Sequence, residues 1–391
     1  MQTTRTPGQV WLLFWGTLFS STGMALVWPF LTIYIREQFD VPLTTVTTLV
    51  TVQSVTGFAA TAAISPLLDR LGRRWPMIIG LVGSSAVMLV MTRAGALWQW
   101  ALLLPVYATV NSVFRVGSYT MLADMVTGEQ RTRMYALLRM GDNVGISAGP
   151  AVGGFLVAVD YALSFYLAAS VQIVLAGFAL AMLAETLPTE AAADTSAPSI
   201  SGGYRVLFTD LAFMRIWGFY LLVQIANAMV FVLLGLYLKE NFGITEDRYG
   251  FIVGVNAAMV VLFQYAVTRI TSHRAPLPVI TSGALLYAAG LLGFALSTGF
   301  MGFLVGMVIL TVGELILIPT ATALVSEIAP VAMRARYMGV FSLSFRVGSA
   351  VGPVIGGLLA DHIAPAATWY GGVVVCLLAA VGYATLAWRE R

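Results

Sequence analysis

Four ionisable side chains lie within long apolar stretches of this 391-residue chain, namely those of Arg115, Asp142, Glu314 and Arg346. Such a group at the depth of a bilayer costs at least ~2.5 kcal/mol on insertion scales, so each is a functional candidate. Glu314 lies in the sequence TVGELILIPT with no basic residue within a helical turn. Because an apolar span disfavours an uncompensated carboxylate, Glu314 is predicted to bind a proton and to release it when its surroundings hydrate. The open alternative is a permanently neutral carboxyl group that is hydrogen-bonded between helices.

Asp142 follows Arg139 by three residues, so the spacing predicts that the two share a helix face and can form an ion pair. Such a pair near the cytoplasmic surface and a functional role at membrane depth are open alternatives for Asp142. Arg115 shares a face with Asn111, four residues earlier. For Arg115, a role in a binding cavity and an internal hydrogen-bonded role remain open alternatives.

The composition indicates that membrane-spanning helices position these residues. The chain is 59% hydrophobic and 10% charged, with a mean hydropathy of +0.87, whereas soluble domains carry about 25% charged residues. A helix needs about 20 apolar residues to cross a bilayer, and twelve stretches qualify. Their predicted bounds are 10–35, 43–65, 76–93, 97–124, 135–158, 161–185, 213–238, 249–270, 276–297, 300–325, 336–360 and 366–388.

The net charge of +3 does not require a nucleic-acid partner, because the arginines concentrate in alternate loops. With the N-terminus inside, four basic residues fall outside: Arg36, Arg93, Lys239 and Arg248. The basic residues that fall inside are Arg5, Arg70, Arg73, Arg74, Arg131, Arg133, Arg205, Arg215, Arg269, Arg274, Arg334, Arg336, Arg389 and Arg391. This asymmetry predicts a multi-pass protein of the cytoplasmic (inner) membrane with both termini in the cytoplasm.

Enzyme chemistry is not predicted. His273 and His362 fall in loops, and the sequence has neither a cluster of metal ligands nor a nucleophile beside a base. The phosphate-binding pattern GxxxxGK[ST] is also absent from the sequence. We therefore expect no metal and no cofactor.

The chain consists of two similar halves. Residues 188–205, rich in Ala, Ser, Pro and Gly, predict a flexible cytoplasmic linker between an N-terminal bundle, 1–187, and a C-terminal bundle, 206–391. An offset of 203 residues pairs Gly149 with Gly352 and Arg131 with Arg334. Such a repeat predicts two six-helix bundles related by an axis along the membrane normal.

Glycines spaced four apart mark one helix in each half. Such strips let a neighbouring backbone approach closely, and a proline within each helix predicts a kink. The residues are Gly145, Gly149, Pro150 and Gly153 in the first half, and Gly348, Gly352, Pro353 and Gly356 in the second.

Three motifs resemble those of the major facilitator superfamily, most closely its drug:proton antiporter branch. The loop SPLLDRLGRR, Ser65 to Arg74, is similar to the signature G-x-x-x-D-R-x-G-R-R/K, with Ser65 replacing the leading glycine. The stretch GISAGPAVGGFL, Gly145 to Leu156, is similar to the fifth-helix pattern of antiporters, and GELxxxP around Glu314 is similar to the tenth helix of proton-coupled members. After Arg115 the chain reads VGSYT and departs from the family pattern R-x-x-x-G.

The resemblance implies an all-α integral membrane fold and a secondary transporter that works by alternating access. The expected function is proton-coupled antiport that exports small amphipathic compounds. The alternatives are proton-coupled transport of a single metabolite (a sugar, amino acid, peptide or siderophore) and lipid flipping. The expected partners are a small-molecule substrate, protons and membrane lipids, and the chain is expected to be a monomer.

The resemblance also implies roles for individual residues. Proton coupling is expected at Glu314 and Asp142. The polar and aromatic residues expected to line a substrate cavity, with Glu314, are Gln53, Asn111, Arg115, Gln224, Asn227, Asn256, Trp28 and Tyr107. Gating is expected from Asp69, Arg70, Gly72, Arg73, Arg74, Arg131, Arg334 and Arg346. Within this set, Asp69 is expected to lie at the positive N-terminal end of a neighbouring helix, and Arg346 is expected to contact Asp142 during the cycle.

Overall fold

The structure, a computed structural model, describes residues 7–126, 129–186, 207–330 and 333–389, and these residues are almost entirely helical. In the first part of the chain the helices are α1 Pro7–Val27, α2 Leu31–Phe39, α3 Leu43–Leu71, α4 Arg74–Met91, α5 Leu97–Met125, α6 Glu129–Val157 and α7 Tyr161–Met182. They are followed by α8 Leu211–Phe242, α9 Glu246–Thr271, α10 Pro276–Leu296, α11 Phe300–Ile328, α12 Arg334–His362 and α13 Ala367–Arg389. A single 3-10 turn, Trp28–Phe30, joins α1 to α2, so the two together form the first predicted span.

The all-α membrane architecture predicted from hydropathy is confirmed. Within the described residues, ten helices are long and apolar enough to cross a membrane. The helices α5 and α6 are not among these ten, although each has 29 residues. Many large side chains, such as Ile79 and Leu262 at 66% and 69% exposed, lie on helix surfaces, as lipid-facing helices require.

The chain divides into two compact units. The first comprises Met1–Asp40 and Val52–Thr195, and the second comprises Val41–Thr51 and Ser196–Arg391. The predicted linker, 188–205, lies outside the described residues, and the predicted bundle limits of 187 and 206 stay a prediction. The first turns of α3 therefore belong to the second unit, which the division of the sequence into halves did not foresee.

A carboxylate explains why α3 begins in the second unit. Asp361, near the end of α12, accepts hydrogen bonds at Oδ2 from the backbone N–H of Thr44 (2.7 Å) and from its hydroxyl (2.5 Å). Its Oδ1 accepts from the N–H of Leu43 (3.2 Å). A negative side chain at the positive end of a helix is stabilising, so Asp361 caps α3 from another helix.

In each unit, the glycine-rich helix that the sequence marks forms a close seam with a neighbouring helix. In the first, the glycines of α6 lie against α1, and a Cβ on Gly153 would lie 2.5 Å from the carbonyl oxygen of Leu26. In the second, the glycines of α12 lie against α8, and a Cβ on Gly348 would lie 2.7 Å from the carbonyl oxygen of Gln224. At these glycines the backbones of the paired helices therefore lie so close together that a side chain would not fit between them. The helices α6 and α12 continue through Pro150 and Pro353.

Two glycines of α12 give a matched test of this seam. A Cβ on Gly339 would meet no atom within 4 Å, whereas one on Gly348 would meet the backbone of α8. Gly339→Ala should raise the free energy of unfolding by up to about 1 kcal/mol, since alanine is the better helix former. Gly348→Ala should lower it by about 1–3 kcal/mol, since overpacking forces α8 to shift. Thermal unfolding in detergent measures both, and changes of the same sign would contradict the seam.

Candidate functional site

Glu314 anchors a polar cluster within the second unit. The helix α11 carries Glu314 and, three residues earlier, Thr311, and α9 brings Asn256 beside them. The amide nitrogen of Asn256 donates to Oε2 of Glu314 and to Oγ1 of Thr311, each at 2.9 Å. The Thr311 hydroxyl in turn donates to the carbonyl of Met307 at 2.7 Å, which leaves its lone pairs to accept. Asn256 is 7% exposed, and Glu314 is partly exposed.

The carboxyl group of Glu314 has one neutral donor and no counter-charge in the described part of the chain. No Lys or Arg there forms an ion pair with it, and its Oε1 has no hydrogen-bond partner. An amide donor to Oε2 is compatible with both the neutral and the ionised carboxyl group, since either form can accept there. The hydrogen bond from Asn256 holds Oε2 of Glu314 in place, and Oε1 is left to take up a proton.

A second buried pair lies beside this cluster. Asn227 of α8 donates from its amide nitrogen to the hydroxyl of Tyr287 on α10 at 2.7 Å, and Tyr287 lies within electrostatic range of Glu314. Four consecutive helices, α8 to α11, thus supply the polar groups. Asn227, Asn256 and Glu314 were predicted from the sequence, whereas Thr311 and Tyr287 were not, since nothing in the sequence distinguishes these two from the other Thr and Tyr residues of the apolar spans.

Asp142 is held by neighbouring helices in the first unit. Its Oδ1 accepts from the hydroxyl of Ser21 on α1, and its Oδ2 accepts from the hydroxyl of Tyr119 on α5 at 3.3 Å. The ring of Tyr119 stacks on that of Tyr135, with centroids 5.8 Å apart. The predicted Asp142–Arg139 ion pair is wrong, because Ser21 and Tyr119 occupy both carboxylate oxygens while Arg139 is exposed.

The other predicted cavity residues are divided between the units. Gln224 is buried against the backbone of Gly348. In the first unit, Trp28 and Tyr107 line a small apolar cavity, and the buried hydroxyl of Tyr107 has no hydrogen-bond partner among the described residues. Asn111 is partly buried, and Arg115 is exposed on the same helix. Gln53 is 7% exposed and assigned to the first unit.

The loop between α3 and α4 is organised around Arg73, which is 4% exposed. Its guanidinium lies 3.0 Å from the carboxylate of Asp69 and 3.1 Å from that of Asp124 on α5. Asp124 also accepts from the hydroxyl of Thr186 at 3.0 Å. The signature motif therefore ties the end of α3 to the end of α5 and to the segment after α7.

Glu185 performs the helix-capping role that the sequence analysis gave to Asp69. Its carboxylate accepts from the backbone N–H groups of Arg73 (2.9 Å) and Arg74 (3.1 Å), at the beginning of α4. Gly72, at φ +83°, makes this approach possible, since a Cβ there would lie 2.5 Å from Oε2 of Glu185. Asp69 instead pairs with Arg73 and is largely exposed.

The remaining gating candidates differ in exposure. Arg74 donates to the carbonyl of Leu180 at 2.8 Å and lies 5.3 Å from the centroid of the Trp75 ring. Arg70 and Arg334 are exposed, and Arg346 is partly buried. The side chain of Arg131 lies outside the described residues. Across those residues, no group of three or more His, Cys, Asp or Glu is arranged to hold a metal ion.

Comparison with known proteins gives consistent matches over the whole chain. A family model described as Major Facilitator Superfamily matches residues 13–225 and 216–391. The chain is similar to a Na⁺, Li⁺, K⁺/H⁺ antiporter of Planococcus maritimus, at 24% identity over 386 residues, which cover 91% of this chain and 88% of the relative. It is similar to Multidrug resistance protein 1 of Bacillus subtilis (strain 168), at 25% identity over 390 residues, covering 94% and 92%. Among solved structures, it is similar to a bacterial homolog of the human lysosomal transporter Spinster, with a TM-score of 0.80 and 13% identity, covering 98% of this chain and 97% of the other.

Proposed function

Because this chain belongs to the Major Facilitator Superfamily and is a multi-pass membrane transporter of a small molecule rather than an enzyme, we propose that it exports small amphipathic compounds in exchange for protons. Transport proceeds by alternating access in the cytoplasmic membrane. The chain acts as a monomer with both termini in the cytoplasm. It needs no cofactor beyond the proton gradient.

The single observation that carries the proposal is the environment of Glu314. An intramembrane carboxyl group that lacks a basic partner among the described residues and is held by one amide donor suits reversible protonation. When the surroundings of Glu314 are dry, the neutral form is favoured, and when they hydrate, the proton leaves from the unbonded Oε1. Export then couples to the direction in which the cavity opens.

Asp142 is the second proton-coupling candidate. Hydroxyl groups rather than arginines hold it, so a proton can bind there without first breaking an ion pair. A contact between Asp142 and Arg346 in another state of the cycle remains part of the proposal. Transport lost in either single variant and restored by exchanging the two charges would support that contact.

The proton gradient supplies enough free energy for export. One proton that enters down a potential of about 100 mV releases roughly 2.3 kcal/mol. At about 1.36 kcal/mol per tenfold ratio, this sustains a gradient of about 50-fold for a neutral substrate. For a neutral substrate the proposal therefore requires no nucleotide.

The substrate class follows from the character of the candidate residues. The candidate set combines aromatic side chains with a few polar groups and one central carboxylate, which suits amphipathic and, in particular, cationic compounds. The name of the B. subtilis relative, Multidrug resistance protein 1, is consistent with this class. The P. maritimus relative is named a Na⁺, Li⁺, K⁺/H⁺ antiporter, so a monovalent cation, which a carboxylate also suits, is the second candidate substrate.

Purified protein in proteoliposomes tests the proposal. With the lumen acidified, a cationic dye such as ethidium should accumulate inside, and its addition should raise the lumenal pH faster than in protein-free vesicles. Accumulation should vanish when a protonophore collapses the gradient. Na⁺ or K⁺ dissipating the gradient in place of the dye would favour the cation antiporter. If neither acts, export of amphipathic compounds is contradicted and the single-metabolite alternative takes its place.

A further inference from the structure

An open groove of about 1060 Å³ lies on the second unit, where the end of α10 meets the beginning of α11. Its walls are apolar, and Leu296, Met301 and Val305 are 65%, 68% and 56% exposed. The groove is distinct from the Glu314 cluster, none of whose residues line it. Apolar side chains this exposed on a membrane helix require an apolar partner.

Glycines create the floor of the groove. A Cβ on Gly293 of α10 would lie 3.3 Å from the Cα of Gly306 on α11, and a Cβ on Gly306 would lie 2.8 Å from the ring of Phe294. The two helices approach closely here, and bare backbone replaces the side chains that would fill the space. The lining of α11 runs from Phe300 to Ile309, which is about 14 Å at 1.5 Å per residue. This is about half of the ~30 Å hydrocarbon core, the depth of one leaflet.

A positive charge lies at one end of the groove. The guanidinium of Arg248, in the first turn of α9, lies 5.9 Å from the centroid of the Phe300 ring, which is itself 6.2 Å from that of Phe251. The aromatic contact orients the arginine without neutralising its charge. No carboxylate of the described residues forms an ion pair with it, and Asp247, its neighbour in sequence, projects from a different side of α9.

We propose that this groove binds an anionic phospholipid, with the headgroup at Arg248 and an acyl chain along Leu296, Met301 and Val305. The charge lies at helix ends, where a headgroup resides, and the apolar walls extend one leaflet deep. The guanidinium of Arg248 is complementary in charge and hydrogen-bonding capacity to a phosphate headgroup, here in the outer leaflet, since the arginine distribution predicts that Arg248 lies outside. The N-terminal end of α11, which the side-chain-free Gly299 precedes, adds positive potential at the same end.

Native mass spectrometry of the delipidated full chain tests the proposal. Phosphatidylglycerol should bind more tightly than phosphatidylcholine with the same acyl chains. Arg248→Gln should weaken phosphatidylglycerol binding about fivefold, the factor expected for one basic residue near an anionic lipid, and Arg248→Lys should retain most of the affinity. The matched control is Arg93→Gln, an exposed arginine of the first unit, which should bind as the wild type does.

Two further measurements show whether the groove itself holds the lipid and whether the acyl chain is needed. Val305→Trp, at an exposed position, should fill the groove and reduce binding of both lipids while the melting temperature of the lipid-free protein stays the same. Glycerol 3-phosphate at millimolar concentration should not displace the lipid, since it lacks the acyl chain. The proposal is overturned if Arg248→Gln binds phosphatidylglycerol like the wild type, if Arg93→Gln weakens it equally, or if glycerol 3-phosphate competes.

Discussion

Replacing Glu314 by glutamine is expected to abolish gradient-driven transport while the protein remains folded. Glutamine has the shape of the neutral carboxyl group and keeps an oxygen that can accept from Asn256, so the polar cluster survives. It cannot exchange a proton. We expect dye accumulation driven by an imposed pH gradient to fall by roughly 10²-fold, comparable with removal of a positioned proton-transfer group.

The matched control is Glu327→Gln on the same helix, because Glu327 is exposed near the end of α11. It should retain gradient-driven transport within about twofold, since an exposed charge near a helix end contributes little. Glu314→Gln should still bind a neutral fluorescent dye, and fluorescence anisotropy measures this binding. If Glu314→Gln keeps full coupling, the proton must bind at Asp142 or elsewhere, and the same assay on Asp142→Asn distinguishes these outcomes.

Replacing Arg73 by methionine is expected to destabilise the first unit by about 3 kcal/mol. Methionine keeps much of the buried volume but leaves the carboxylate of Asp124, which is 14% exposed, without its cation. Removal of one partner from a buried ion pair costs about 3–5 kcal/mol, and the exposure of Asp69 places the effect at the low end. A lower apparent melting temperature in detergent, together with reduced transport, checks this prediction.

Two further variants test whether the unpaired carboxylate of Asp124 causes the loss of stability in Arg73→Met. Arg70→Met, which changes an exposed arginine in the last turn of α3, should shift stability by no more than about 0.5 kcal/mol. Adding Asp124→Asn to Arg73→Met should recover much of the lost stability, because it removes the stranded charge. Equal effects of Arg73→Met and Arg70→Met would contradict the role of the buried pair.

The sequence by itself determined the membrane fold, the approximate span bounds and the family. Membrane helices can be predicted from hydropathy without knowing which helices they contact, since each apolar stretch satisfies its own backbone hydrogen bonds as a helix. The glycine spacing likewise predicted close helix approach in each half, because residues four apart share one face. Glu314 and Asn256 were both selected because polar groups at membrane depth are costly and therefore stand out.

Only the tertiary structure decided which partners these residues have. Periodicity identifies the face of a helix but not the neighbouring helix that it meets, so Asp142 was assigned to Arg139 of its own helix when Ser21 and Tyr119 hold it. Glu185 and Asp361 were missed for the same reason, since each caps a helix distant in the chain. The sequence around a carboxylate near the end of a helix, or in the segment that follows the helix, does not indicate which helix that carboxylate will cap. That choice depends on which helices pack together, and packing is decided by the shape and spacing of side chains from several segments at once.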